Sequence, residues 1–221
     1  MFPPDLFAIS PALKPRMERV GDVIPVIIID DFYQRPDEIR AAALSLSYKP
    51  PAYPYPGKLA EIPPVPSLSG VLKWALEVVN GSYLPNVPPI AVQGKSIRAF
   101  NKLYSDFAVI DVHPDDLSLV QRVPHTDPVP VFGLVYLNRE ERGGTMFFDQ
   151  IADIDATKLD PGYITDTGRG FRLMGRIEAA FNRMAIYPGF VPHSGEIAGD
   201  WIKTDERFRS PRLTQRFIFM P

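Results

Sequence analysis

The chain contains no cysteine. That absence excludes disulfides, thiolate metal sites, iron–sulfur clusters and cysteine nucleophiles, so any metal must be held by His, Asp or Glu. Histidine is scarce as well: only His113, His125 and His193 are present. No run of about 18 apolar residues occurs, and the amino terminus, MFPPDLFAISPALKPRMERV, lacks a basic flank followed by an apolar stretch. Neither export nor membrane insertion is indicated, and a cytoplasmic location is expected. Strong charge is missing too. With 24 Lys+Arg against 26 Asp+Glu, the formal net charge is -2, which gives no broad field for a nucleic-acid backbone or an anionic membrane. A small molecule or a peptide is the expected partner. The charge balance leaves the oligomeric state open.

Proline, by contrast, is abundant, and it divides the chain. At 221 residues one domain with a substantial core is expected. Residues 1–90 would form a supporting region of strand, helix and Pro-rich loop, and residues 91–221 a β core. VIPVIIIDDFY (23–33) is β-branched and apolar, as a buried strand requires. In the following RPDEIRAAALSLSY, Pro36 stands early, Asp37 and Glu38 occupy the first turn, and Ile39, Ala42, Ala43 and Leu46 share a helical face. Residues 49–66 are too proline-dense for regular structure and predict an extended loop. SLSGVLKWALEVVNGSYL predicts a second helix capped by Ser67 or Ser69 and stopped at Gly81.

From about residue 90, short β-type runs alternate with Pro, Gly and Asp turns: KSIRAFNKLYS, FAVIDVH, VFGLVYLN, GTMFFD, NRMAIYP and RLTQRFIFM. The pattern predicts a sandwich or jelly roll. The polar interval 149–180 interrupts these runs, predicts a helix near its end, and is placed to wall or cover a site.

His125 lies two residues before Asp127 in RVPHTDPVPVFGLVYLN. Residues i and i+2 of an extended chain project to one side, so the pair can offer a nitrogen and a carboxylate oxygen to one point. His-x-Asp is also ordinary turn composition. His193 adds a second observation, because in AIYPGFVPHSGEI it too follows a β run and a Pro-Gly turn. Two histidines and a carboxylate can occupy one face of an octahedron, as in non-haem Fe(II) sites. His113, in DVHPDD, reads as a turn residue, and Gly143 and Gly144 as a turn between strands.

HTD (125–127), YLNREERGGTMFF (136–148), NRMAIYPGFVPHSG (182–195) and RLTQRFIFM together resemble the ordered blocks of the 2-oxoglutarate/Fe(II)-dependent dioxygenases, in particular the prolyl-4-hydroxylase-like branch. The resemblance spans roughly residues 95–221. It implies a double-stranded β-helix (jelly roll), iron held by His125, Asp127 and His193, and 2-oxoglutarate as co-substrate in the hydroxylation of a small molecule or a peptide. The basic partner of the co-substrate's distal carboxylate falls on Arg212, Arg216 or Lys203. Lys203 has the customary spacing, whereas Arg212, Thr214 and Arg216 alternate on one face of a predicted strand and Leu213, Phe217 and Phe219 on the other. Tyr136 and Tyr104 are candidate hydroxyl donors to the co-substrate. The family's Gly-Gly-Glu-Thr reads GGTM here, which puts Met146 where a threonine is usual and leaves Thr145 one position early. The alternative to an oxygenase is a catalytically silent jelly-roll domain that binds or supports.

Overall fold

The computed structural model describes residues 2–92, 94–154, 162–197 and 212–221. In chain order these give β1 (Arg16–Val20), β2 (Ile24–Ile29), α1 (Pro36–Leu44), β3 (Lys58–Glu61), α2 (Pro66–Val78), β4 (Ala91–Val92), β5 (Lys95–Ser96) and β6 (Lys102–Ile110). They continue with β7 (Val131–Tyr136), β8 (Thr145–Gln150), β9 (Phe171–Ile177), β10 (Met184–Pro188), β11 (His193–Gly195) and β12 (Arg212–Met220). The fold is mainly β. A seven-stranded antiparallel sheet runs β1-β2-β10-β7-β12-β6-β3, a three-stranded one runs β11-β8-β9, and β4 pairs with β5. Among the described residues no helix is long and apolar enough to cross a membrane.

Strands β2, β7 and β10 of the large sheet read as near-continuous apolar runs because both of their faces are covered. On one face Ile27 and Ile29 of β2, Val131 and Val135 of β7, and Met184 and Ile186 of β10 pack with Ile39 of α1 and Val71 and Ala75 of α2. On the other, Val26, Ile28, Leu134, Tyr136, Ala185 and Tyr187 meet Phe147 and Ile177 of the small sheet. The period of two therefore sorts each strand between a helical layer and a sheet layer. In β12 the sorting has a chemical consequence. Leu213, Phe217 and Phe219 enter the helix-side core, which leaves Arg212, Thr214 and Arg216 on the side of the small sheet.

Helix α1 begins with Pro36 and carries Asp37 and Glu38 in its first turn, where the exposed amides favour negative charge. Helix α2 begins one residue before its expected cap. Pro66 needs no cap for its missing amide hydrogen, and Ser67 Oγ instead accepts from Phe7 N at 3.0 Å. Nor does Gly81 end it. A wider turn, Val79–Tyr83, continues the helix because Val79 and Tyr83 are both buried and the Tyr83 hydroxyl donates to Pro25 O.

Other differences from the sequence-based expectation have similar causes. The Pro-rich 49–66 segment contains β3, which sits at the sheet edge where prolines beside a strand are tolerated. KSIRAFNKLYS and FAVIDVH join through the single strand β6, whose polar Ser105 and Asp106 disguise its continuity. The helix expected near the end of 149–180 is instead β9, paired along β8. Residues 155–161 of that interval lie outside the described residues, but Ile164 and Phe171 pack on Met146 and Phe148, against the outer face of the small sheet.

Phe217 is fully buried in β12 and meets the Phe32 ring edge-on with centroids 6.4 Å apart. Phe217→Ala should cost about 3–5 kcal/mol of unfolding free energy, measured by urea denaturation. A loss below about 1 kcal/mol would mean that this layer is not the packed core described.

Candidate metal centre

Residues 125–127 run beside 189–193 as a short antiparallel pair. His125 N donates to His193 O (2.9 Å), His193 N to His125 O (2.8 Å), and Asp127 N to Gly189 O (2.8 Å). A side chain at residue 189 could not be accommodated: a Cβ there would lie 2.3 Å from Val129 O and 3.2 Å from the Asp127 Cβ. The backbone bonds bring the His125 and His193 rings to a centroid distance of 4.8 Å. The ligand-type atoms of His125, Asp127 and His193 all lie within 4.8 Å of one another.

The hydrogen bonds then fix the tautomer of a neutral His193 ring. Its Nδ1 lies 2.8 Å from Val191 O, and since a carbonyl only accepts, Nδ1 carries a proton. In the neutral ring Nε2 is left with a lone pair, and it faces Asp127 Oδ2 at 3.2 Å. That oxygen is buried and makes no hydrogen bond of acceptable geometry. Two electron-rich atoms so placed call for a cation or a proton between or beside them. A metal bonded at about 2.0–2.2 Å holds neighbouring ligands about 3 Å apart, which is close to the separation found. A His-Asp-His metal site is therefore sterically and chemically available.

Electrostatics favour the ligating forms. Burial works to raise the Asp127 carboxyl, but the contact with His193 and the positive charge available on His193, His125 and Arg216 outweigh it and hold it below the ordinary carboxylate value. His125 keeps a solvent-exposed edge. Even so, the protein packed around its ring and repulsion from His193 push it down to about 4. It is thus neutral at pH 7 and needs to lose no proton to ligate.

The sheet-side face of β12 places the remaining candidates. Arg212 is buried, its Nε donates to Gly143 O (2.7 Å) and its Nη2 to Gly144 O (3.2 Å), and it lies over the Tyr136 ring at 5.9 Å. Among the described residues no carboxylate pairs with it. It reaches across to the small sheet, where a Cβ on Gly195 would come within 2.9 Å of its Cζ. Gly195 is two residues from His193 along β11, about 7 Å of strand. Thr214 Oγ1, on the same face, is buried without a partner. Arg216 differs. Its Nε and Nη2 grip Asp106 at 2.7 and 2.5 Å, and its Nη1 donates to the Tyr53 hydroxyl at 3.0 Å. Burial would lower the Arg216 pKa, but Asp106 more than offsets this and raises it.

Tyr136 is buried with its hydroxyl 2.7 Å from Thr145 Oγ1. Thr145 therefore points into the space between the sheets and Met146 points out into the cluster with Phe148. Tyr104 is 59% exposed and stands apart. His113 Nδ1 accepts from Asp115 N in a turn, away from the other two histidines. Lys203 lies outside the described residues. Asp106, Tyr53, Gly189 and Gly195 were not foreseen. Nothing short of the β6–β12 register, which sets Arg216 opposite Asp106, would have singled out that carboxylate.

A family model described as "Family of unknown function (DUF6445)" matches residues 11–157 and 150–219. The chain belongs to the DUF6445 family. No curated protein sequence matches this DUF6445 chain. Among solved structures it is similar to the Fe(II)/α-ketoglutarate-dependent dioxygenase TqaL, with 14% identity, 84% of this chain and 73% of that chain covered, and a TM-score of 0.41. It is also similar to a bsmA homolog from Methylobium petroleophilum PM1, with 12% identity, 94% and 76% coverage, and a TM-score of 0.35. Likeness at these scores is too slight to bear on function.

Unfolded, His125 would take up its proton near the ordinary 6.5; folded, it does so only near about 4. Between those values the unfolded chain holds more protons, so stability is present above pH 6.5 and is lost as pH falls toward 4. The melting temperature of the metal-free protein should therefore drop over this window, and that of His125→Gln should drop less. Equal drops would show that the His125 environment does not disfavour charge.

Proposed function

We propose that this chain is an Fe(II)- and 2-oxoglutarate-dependent oxygenase with a jelly-roll core, hydroxylating a small-molecule or peptidyl substrate. The observation that carries the reading is the buried, unbonded Asp127 Oδ2 beside the bare Nε2 of His193, with His125 in reach. A 2-His-1-carboxylate set leaves positions open on the metal, the arrangement used by non-haem Fe(II) oxygenases. When bound, iron and 2-oxoglutarate supply the oxidation: the 2-oxo acid loses CO2 and gains one oxygen atom of O2 to become succinate, and the other oxygen enters a substrate C–H bond.

The protein's own groups bind, orient and exclude water. His193 is locked in one tautomer by Val191 O, so its Nε2 lone pair is committed to the centre. Arg212 is the buried cation left without a carboxylate among the described residues, and its guanidinium reaches the strand that carries His193. We assign it to the distal carboxylate of 2-oxoglutarate, whose two ends are separated by four C–C bonds of about 1.5 Å each. Thr214 Oγ1 supplies a hydroxyl to the same carboxylate. Tyr136, under the Arg212 guanidinium and bonded to Thr145, holds that guanidinium in place. Arg216 is already neutralised by Asp106 and serves as part of the wall.

Asp127→Ala should abolish tight Fe(II) binding without unfolding the protein, measured by anaerobic titration together with thermal melting. Parent-like affinity in that variant would reject the triad. With the parent, Fe(II) and 2-oxoglutarate together should produce a weak visible charge-transfer band. Arg212→Lys should weaken 2-oxoglutarate by about 2 kcal/mol, the scale of a lost charge-assisted fork, with Fe(II) affinity little changed. Lys203→Ala should be nearly silent in the same titration, and the reverse pattern would make the lysine the anchor.

A further inference from the structure

An open groove of about 400 Å3 has Asp127 in its wall. Its walls come from the 89–92 segment on one side and from residues 127–130 and Phe190 on the other. Asp127 is the only charged residue that lines it among the described residues. Pro89, Pro128 and Pro130 supply no amide hydrogen, and the amide of Asp127 is already donated to Gly189 O. Val92 and Phe190 present apolar surface to solvent, with Phe190 54% exposed. Among the described residues no side chain that lines the groove donates a hydrogen bond and all but Asp127 are hydrocarbon, whereas the β12 face carries buried Arg212 and Thr214, with Arg216 already paired to Asp106. Two unlike surfaces thus flank the candidate centre, a cationic one suited to a dicarboxylate and an apolar one with Asp127 in its wall.

We propose that the apolar groove receives the molecule that is oxidised, and that the part it holds is an uncharged ring or alkyl group of a small molecule. This rests on the oxygenase reading given above. The volume is that of a single small-molecule pocket, which spans about 300–1,000 Å3. An anionic group would meet Asp127 with no compensating cation among the described lining residues, and a strongly polar group would lose its hydration without finding side-chain donors. An apolar group gains by displacing water from the Val92 and Phe190 surfaces.

The test uses the whole chain and indole as a neutral apolar probe, with indole-3-acetate as its anionic counterpart. In metal-free protein, ligand-observed NMR should detect indole binding, and Val92→Asp and Phe190→Asp should each weaken it about tenfold. Both positions are exposed, and the variants should melt as the parent does. Indole-3-acetate should bind about tenfold more weakly than indole. Mn(II), followed by its own EPR signal, should bind the parent but not Asp127→Ala, and bound Mn(II) should speed the relaxation of indole protons. Unchanged binding in both aspartate variants overturns the groove, and so does indole-3-acetate binding as tightly as indole. Mn(II) that binds without relaxing indole also overturns it. If Mn(II) fails to bind while indole still does, the metal centre falls, and the groove's role in oxidation falls with it.

Discussion

The centre depends on a pair of backbone hydrogen bonds. The reciprocal bonds between His125 and His193 join the connection between β6 and β7 of the large sheet to strand β11 of the small one, across a sequence separation of 68 residues. Backbone pairing specifies side-chain direction, because residues two apart on a paired segment share a side. Asp127 is thereby carried to the same side as His125, and the Asp127 N to Gly189 O bond fixes how far it reaches. The electrostatics follow from this geometry. A carboxylate oxygen is buried without a donor because the imidazole opposite spends its hydrogen on Val191 O. In a medium of reduced dielectric such an oxygen is costly unless a cation or proton satisfies it.

The second organising feature is the division of β12. One strand supplies hydrophobic side chains to the helical layer and guanidinium and hydroxyl groups to the layer opposite. The two arginines on it have separate fates because of register alone. Arg216 falls opposite Asp106 of β6 and is neutralised, while Arg212 falls opposite Ile110 and, among the described residues, meets carbonyl oxygens and an aromatic face but no carboxylate. A cation held by neutral acceptors keeps most of its attraction for an anion; one held by a bidentate carboxylate does not.

Much of this was legible in the sequence, and what was not follows from long-range pairing. The alternation in RLTQRFIFM announces a two-faced strand, and HTD with a later PHSG announces the candidate ligand set, because both are local patterns of residue type. The resemblance to an oxygenase family rests on those same stretches. The role of Asp106 was invisible, since it depends on which residue of β12 it meets. β1 was overlooked because RMERV is polar, as an edge strand can be, and β9 was misread because its burial does not alternate, Phe171 and Ile177 being buried and the residues between them partly or fully exposed. The cap of α2 failed as an expectation for another reason: Ser67 had a tertiary partner to serve.

The order of the large sheet also bears on how the protein is made. β12 lies between β7 and β6, so residues 212–220 fill the middle of the sheet. Until they leave the ribosome, β6 and β7 have no partner on their facing edges. At about 5–20 residues per second, the roughly 200 residues from β1 to β12 take on the order of 10–40 s to synthesise. Through that interval the strands already made expose apolar edges that can pair with other chains. The nascent protein is therefore most prone to aggregate just before the segment that brings Arg212 and Thr214 arrives, and premature termination ahead of residue 212 would leave a chain bearing HTD and PHSG with its large sheet split between β7 and β6.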